Sequence, residues 1–202
     1  MTPILKATRL DTPLGAMLAI ADEKALYLLE FVDQPCLESE VEQLKRKTKS
    51  TIILETAVGP CKKVQDSGSK DCAFLPASTA VSRIIPGSNN PIVSVAKELD
   101  QYFNGKLGEF KTPVFYFGSP FQKHVWEELQ KIPIGETRSY ADIAHAIGSP
   151  TSHRAVARAN GANQIAIIIP CHRVIYSNGE LGGYSGGIFR KKWLIGHEKM
   201  LK

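Results

Sequence analysis

A chain of 202 residues, 43% hydrophobic and 22% charged, has room for one large or two small domains with buried cores. No apolar run approaches the roughly 18 residues of a membrane span, and the start Met1-Thr2-Pro3-Ile4 lacks the basic-then-apolar pattern of a secretory leader. The formal charge of +5 is unevenly placed: Met1–Gly118 sets 14 Lys/Arg against 14 Asp/Glu, whereas Ser119–Lys202 sets 11 against 6. A basic C-terminal half predicts an anionic partner there, nucleic acid foremost.

The first third reads as strands. Asp11-Thr12-Pro13-Leu14-Gly15 and Ala21-Asp22-Glu23-Lys24 are turn punctuation separating apolar stretches, the latter dividing Met17–Ile20 from Leu26–Phe31. A helix follows with Leu37, Val41 and Leu44 on one face, then a short strand at Thr51–Leu54. Ala57–Asn90 is rich in Gly, Pro, Ser and Lys without periodicity and reads as a long flexible excursion. Order resumes at Asn90-Pro91, an N-cap with Pro at the first helical position. Ile92, Val95, Leu99 and Tyr102 then repeat at helical spacing up to Gly105. Lys106–Gly118 reads as a linker holding a short strand, Val114–Phe117.

Signals crowd the second half. Ser119-Pro120 opens a helix that buries Phe121, Val125, Trp126 and Leu129. Ser139 with Asp142 three residues on is a capping-box pattern, and the helix it opens carries Ile143, Ala146 and Ile147 inward to Gly148. After Ser149-Pro150-Thr151 a third helix runs through His153–Asn160, so the pair reads as a helix-turn-helix. Ile165–Ile169 reads as a buried strand. Ser177–Glu180 is a turn, Gly182–Gly187 a flexible loop, and a last helix carries Phe189, Trp193, Leu194 and His197.

The chemistry concentrates at Pro170-Cys171-His172-Arg173, where a thiol sits beside an imidazole and a guanidinium. Cationic or basic neighbours favour the nucleophilic thiolate, although an isolated Cys is as readily a small buried hydrophobe. Arg154 and Arg158 share a helix face among small residues, an arrangement suited to phosphates or to a narrow groove. The four cysteines, Cys36, Cys61, Cys72 and Cys171, show no Cys-x-x-Cys spacing, which argues against a disulfide framework or zinc ribbon and for a reducing cytoplasm.

Ile168-Ile169-Pro170-Cys171-His172-Arg173-Val174, with Arg154-Ala155-Val156, Asn163, Ser139-Tyr140, Gly183-Tyr184-Ser185-Gly186-Gly187 and His197-Glu198, resembles the catalytic domain of the 6-O-alkylguanine-DNA alkyltransferases. The N-terminal half resembles that family's strand-rich domain. The resemblance implies an α/β (α+β) fold: a ribonuclease-H-like N-terminal domain over residues 1–105, with 57–90 the excursion. A linker over 106–118 and a mostly helical catalytic domain over 119–202, with a DNA-binding helix-turn-helix, complete it.

It also implies roles. Cys171 takes the alkyl group from O6 of guanine, or from 4-O-methylthymine, in one irreversible turnover. His172 is the base, working through water and oriented by Glu198. Tyr140 hydrogen-bonds the flipped guanine and acts as general acid. Arg154 fills the gap left by the extruded nucleotide, while Ser152, Ala155, Ala157 and Arg158 meet the minor groove. Asn163 braces the turn before Cys171, and Val174 and Ser185 read the guanine edges. Tyr184 walls the pocket, and Asn160 stands where an apolar or sulfur residue is frequent. The implied partner is double-stranded DNA carrying alkylated guanine, with no cofactor, metal, membrane or obligate protein partner, for a monomer in the cytoplasm, or in the nucleus of a eukaryote. A zinc-bearing phosphotriester-accepting module would need a cysteine cluster that this chain lacks. The competing readings are a Cys-His hydrolase or acyltransferase, whose oxyanion hole the Gly182–Gly187 loop would supply, and a module that binds alkylated DNA without repairing it.

Overall fold

The computed structural model describes residues 3–54 and 90–201. The excursion expected at Ala57–Asn90 lies outside the described residues except for Asn90 itself.

Three antiparallel strands, β1 (Ile4–Thr12), β2 (Gly15–Ala21) and β3 (Leu26–Phe31), follow the two turn signals. Helix α1 (Leu37–Thr48) then carries the chain back, and β4 (Thr51–Leu54) pairs parallel with β1. The sheet order is β3-β2-β1-β4. Side chains alternate between faces with period two. Leu5, Ala7, Leu18, Ile20 and Leu28 therefore meet Leu37, Val41 and Leu44 of α1 on one face. Leu10, Met17, Ala19, Leu29 and Phe31 turn to the other.

That second face is covered by α2 (Pro91–Phe103) and by the C-terminal half, so one apolar cluster takes residues from both halves of the chain. Asn90 caps α2 by accepting from the Ile92 N–H at 3.0 Å, and Gly105 closes it at φ +70°. The segment 106–118 is tied down along its length. Glu98 accepts from the Lys111 N–H at 2.9 Å and from the Thr112 hydroxyl at 2.6 Å. Pro113 and Phe115 bond the backbone of Leu26. The strand expected at Val114–Phe117 reduces to a single bridge from Val114 to Leu26. The Phe115 and Phe117 rings pack on Tyr27 of β3.

The C-terminal half is helical. Its helices are α3 (Pro120–Gln130), α4 (Tyr140–Ala146), α5 (His153–Gly161) and α6 (Ile188–Lys199). Both α3 and α4 begin in capping boxes, Ser119 with Gln122 and Ser139 with Asp142. Trp126 of α3 donates its indole N–H to the Ala159 carbonyl of α5 at 2.8 Å. Helices α4 and α5 pack together across the tight turn at 147–152, with Gly148 at φ +71°. On α4 the inward alanine is Ala144, and Ala146 faces solvent. The buried residues are Tyr140, Ile143 and Ala144, an i, i+3, i+4 stripe that leaves Ala146 outside. Two-residue strands β5 (Arg138–Ser139) and β6 (Val174–Ile175) pair in parallel, which sets the start of α4 beside the segment that follows Cys171.

The apolar run Ile165–Ile169 is buried, but it is a turn and not a strand. Leu29 bridges to Ile165, Ala166 donates to the Leu29 carbonyl at 2.7 Å, and Ile167 turns at φ +70°. The reason is Asn163, whose side chain offers these backbone groups partners that a sheet ladder would otherwise supply.

Candidate active site

Cys171 opens a single 3₁₀ turn, Cys171–Arg173, at the end of that buried turn. Asn163 accepts from the Ile165 N–H at 3.0 Å, donates to the Ile169 carbonyl at 2.9 Å, and places Nδ2 at 3.1 Å from Cys171 Sγ. One amide side chain thus shapes the backbone and touches the thiol. Asn160, at the end of α5, donates to the Cys171 carbonyl at 3.2 Å, and its Oδ1 is buried without a partner among the described residues. Burial pushes the Cys171 thiol up to about 12, and the Asn163 amide opposes that shift. A thiol so placed stays protonated at neutral pH and reacts only if a base takes its proton.

His172 is fully buried, and its Nε2 lies 2.8 Å from Glu198 Oε1. Glu198, 1% exposed, also accepts from Arg173 Nε at 2.8 Å, Arg173 Nη2 at 2.9 Å and the Tyr102 hydroxyl at 2.7 Å. Burial alone would raise this carboxyl, but the His172 and Arg173 contacts pull it well below the usual range. A carboxylate only accepts, so His172 must donate through Nε2, and Nδ1 is left as a bare lone pair. That Nδ1 is buried and has no partner among the described residues. Burial moves the imidazole pKa downward and keeps the ring neutral. The result is a base of fixed tautomer.

The guanidinium adjacent in sequence does not serve the thiol. Arg173 spends its fork on Glu198 and donates Nη1 to the Ile132 carbonyl. Neither Tyr102 nor this use of Arg173 follows from sequence. Tyr102 lies 96 residues from Glu198 and reads as a core aromatic on α2.

Tyr140, at the first turn of α4, is buried, and its phenol is pushed up to about 12 by burial and by nearby Tyr176 and Cys171. Its ring lies 5.5 Å from the Tyr176 ring. A Cβ at Gly182 would collide with its hydroxyl, so the loop passes there only as glycine. The Tyr184 hydroxyl is buried without a partner among the described residues, and its ring is 6.4 Å from His172. The Gly187 N–H closes a turn onto the Tyr184 carbonyl at 3.0 Å, and Ser185 lies within it. Val174 is buried, and its carbonyl accepts from Lys191 Nζ at 2.6 Å, leaving one lone pair. Lys191 also reaches the Gly183 carbonyl at 3.4 Å. Its burial, which lowers its pKa to about 8, is a second feature with no sequence signal, since a lysine in a helix reads as a surface residue.

The structure thus brings Asn163, Asn160, Tyr140 and Tyr184 to Cys171, with His172 next to it in the 3₁₀ turn, Glu198 behind His172, and Val174 just beyond that turn. Ser152, Arg154, Ala155, Ala157 and Arg158 lie apart on α5. Arg154, Ala155 and Arg158 are exposed, and neither arginine has an ion pair among the described residues. No group of three His, Cys, Asp or Glu suited to a metal occurs among the described residues, and no helix among them is long and apolar enough to cross a membrane.

Residues 120–200 match the family model for the 6-O-methylguanine DNA methyltransferase DNA-binding domain. A methylated-DNA–protein-cysteine methyltransferase of Methanosarcina barkeri is 42% identical over 146 residues, covering 71% of this chain and 92% of its own. One from Mycolicibacterium paratuberculosis is 49% identical over 114 residues, 55% of this chain and 69% of its own. The Mycobacterium tuberculosis OGT crystal structure in complex with DNA superposes with a TM-score of 0.70 at 32% identity, over 97% of this chain and 94% of that one. This chain therefore belongs to the family of methylated-DNA–protein-cysteine methyltransferases.

Proposed function

We infer that this chain repairs DNA by direct transfer, moving the alkyl group on O6 of a guanine, methyl foremost, to the sulfur of Cys171. The observation that carries the reading is a buried thiol followed, in the same 3₁₀ turn, by a buried neutral imidazole of fixed tautomer, within this family. The M. tuberculosis relative bound to DNA supports DNA as the partner.

In this reading His172 Nδ1 takes the thiol proton through a water, because it is a basic lone pair that is buried with no partner among the described residues. Nε2 keeps its own proton toward Glu198, and Arg173 and Tyr102 hold the carboxylate in place. The thiolate then attacks the alkyl carbon opposite O6. The S–C bond forms as the C–O bond breaks, and guanine leaves with the electron pair. Tyr140 donates its phenolic proton to N3 of the departing base, an acid contribution worth about 10²–10⁴ in rate. The proton first taken from the thiol restores the phenol. Its raised pKa keeps Tyr140 protonated until it is needed.

The buried thiol is out of reach of a stacked base, so the nucleotide is extruded through the minor groove. Extrusion costs a few kcal/mol, least for a damaged pair. Helices α4 and α5 act as the helix-turn-helix, with Arg154 entering the duplex and Ser152, Ala155, Ala157 and Arg158 against the groove. The second lone pair of the Val174 carbonyl and the Ser185 N–H read the guanine, with Tyr184 as the wall. Residues 1–105 and 119–202 are the two domains, and the site of action is the cytoplasm, or the nucleus of a eukaryote. The thioether has no leaving route, so each molecule reacts once. With duplex carrying 6-O-methylguanine in tenfold excess, repair should stop at one lesion per protein molecule. Continued turnover contradicts the reading.

A further inference from the structure

Two adjacent residues of α6 hold the two ends of the 182–187 loop. Lys191 binds Gly183 and Val174 from beneath, within the C-terminal half. Arg190 binds the other end and ties it to the N-terminal half. Its Nη1 donates to the Gly186 carbonyl at 2.9 Å, its Nε to the Leu14 carbonyl in the β1–β2 turn at 2.8 Å, and its Nη2 to Asp33 Oδ2, beyond β3, at 2.8 Å. Its Cζ lies 4.2 Å from the centre of the Phe31 ring. Gly186 closes the contact: a Cβ there would stand 2.7 Å from both Phe31 Cδ2 and Tyr184 Cε1. Gly15, at φ +115°, makes room from the other side, since its Cβ would lie 2.9 Å from Arg190 Nη2.

A planar fork with donors at fixed angles can satisfy three separate acceptors while stacking on an aromatic face. The Asp33 arm is exposed, and a surface ion pair by itself contributes little. What remains is geometric, because the Leu14 and Gly186 carbonyls belong to different halves of the chain and are held together by one guanidinium. Tyr184 and Ser185, the residues just before Gly186, are the proposed wall and reader of the base.

We propose that Arg190 is a positioning residue through which the N-terminal sheet sets the width of the pocket bounded by Tyr184 and Ser185, and hence the size of alkyl group the site takes efficiently. This rests on the transfer reading above. Loosening the clamp lets the wall move outward. A methyl group then loses the close approach that in-line attack requires, and a bulkier group meets less resistance.

The test compares single-turnover transfer from duplexes carrying 6-O-methylguanine or 6-O-benzylguanine to wild type, Arg190→Lys and Asp33→Asn, with duplex affinity and melting temperature measured alongside. Arg190→Lys keeps the charge but cannot span the three acceptors. It should lose about tenfold in methyl transfer while duplex affinity changes less than about twofold, and its benzyl-to-methyl rate ratio should rise at least about threefold. Asp33→Asn, which loses only the exposed arm, should track wild type. Equal losses for both substrates, or an unchanged ratio, overturn the proposal and reduce Arg190 to a structural tie. A wild-type protein that transfers neither group is a separate outcome, which overturns the transfer reading itself.

Discussion

Replacing Glu198 by Gln attacks the point on which the site's electrostatics rest. Glu198 Oε1 accepts from His172, Tyr102 and Arg173 Nη2, and Oε2 accepts from Arg173 Nε and, at 3.4 Å, the Gly135 N–H. Whichever way the new amide turns, its NH₂ faces groups that are themselves donors, and a buried guanidinium loses its counter-charge. Removing one partner of a buried pair costs about 3–5 kcal/mol. At about 2–4 °C per kcal/mol for a chain of this size, the melting temperature should fall by roughly 6–20 °C. The pH dependence has a definite sign. The folded pKa of Glu198 lies below its unfolded value of about 4.3, so its contribution is complete above that pH and is lost as pH falls toward the folded value. Thermal unfolding of wild type and variant between pH 7 and pH 3 checks both points, with the gap narrowing as the solution is acidified. A variant melting within about 1 °C of wild type at neutral pH would refute the claim that Glu198 anchors His172 and Arg173.

Tyr140→Phe should keep duplex binding and lose about 10²–10⁴ in single-turnover transfer, the worth of a general acid. Its kinetics on a lesion with a better leaving group should recover part of the loss. Asn163→Leu strips the Ile165 N–H of its partner, at about 1–3 kcal/mol for a buried group left unmade, while the Ile169 carbonyl keeps the Cys171 N–H. A urea midpoint close to that of wild type would show that the turn holds itself. Arg154→Ala should weaken binding to lesion-bearing duplex and lower the slope of log affinity against log salt by at most about one charge. The extruded state should become less populated, read by a fluorescent base opposite or beside the lesion.

Local features of the chain were legible from sequence because local chemistry decides them. The three N-terminal strands follow turn residues, and the Ser119 and Ser139 capping boxes form where hydroxyl and N3 residue are three apart. The Cys171–Glu198 constellation is legible through motif resemblance, and the geometry adds the donors around Glu198 and the His172 Nδ1 left without a partner among the described residues. Ile165–Ile169 reads as a strand because apolarity records burial and not backbone shape, and the Asn163 side chain decides for the turn. Val114–Phe117 likewise reads as a strand, but β3 offers it a single bridge, at Leu26, and its aromatic rings pack on Tyr27. Tyr102, the buried Lys191 and the Arg190 clamp carry no local signal. Their partners lie 96, 17 and 176 residues away, and only the packing of α2, α6 and the β1–β2 turn brings them together.

Locating the transferred group tests the central claim most directly. The protein is incubated with duplex carrying 6-O-methylguanine, digested, and its cysteine peptides are weighed. The account predicts one added methyl group per chain, on the peptide containing Cys171 alone, and none in Cys171→Ala. Methyl on Cys36, Cys61 or Cys72, or removal of the lesion with Cys171 unmodified, would contradict it.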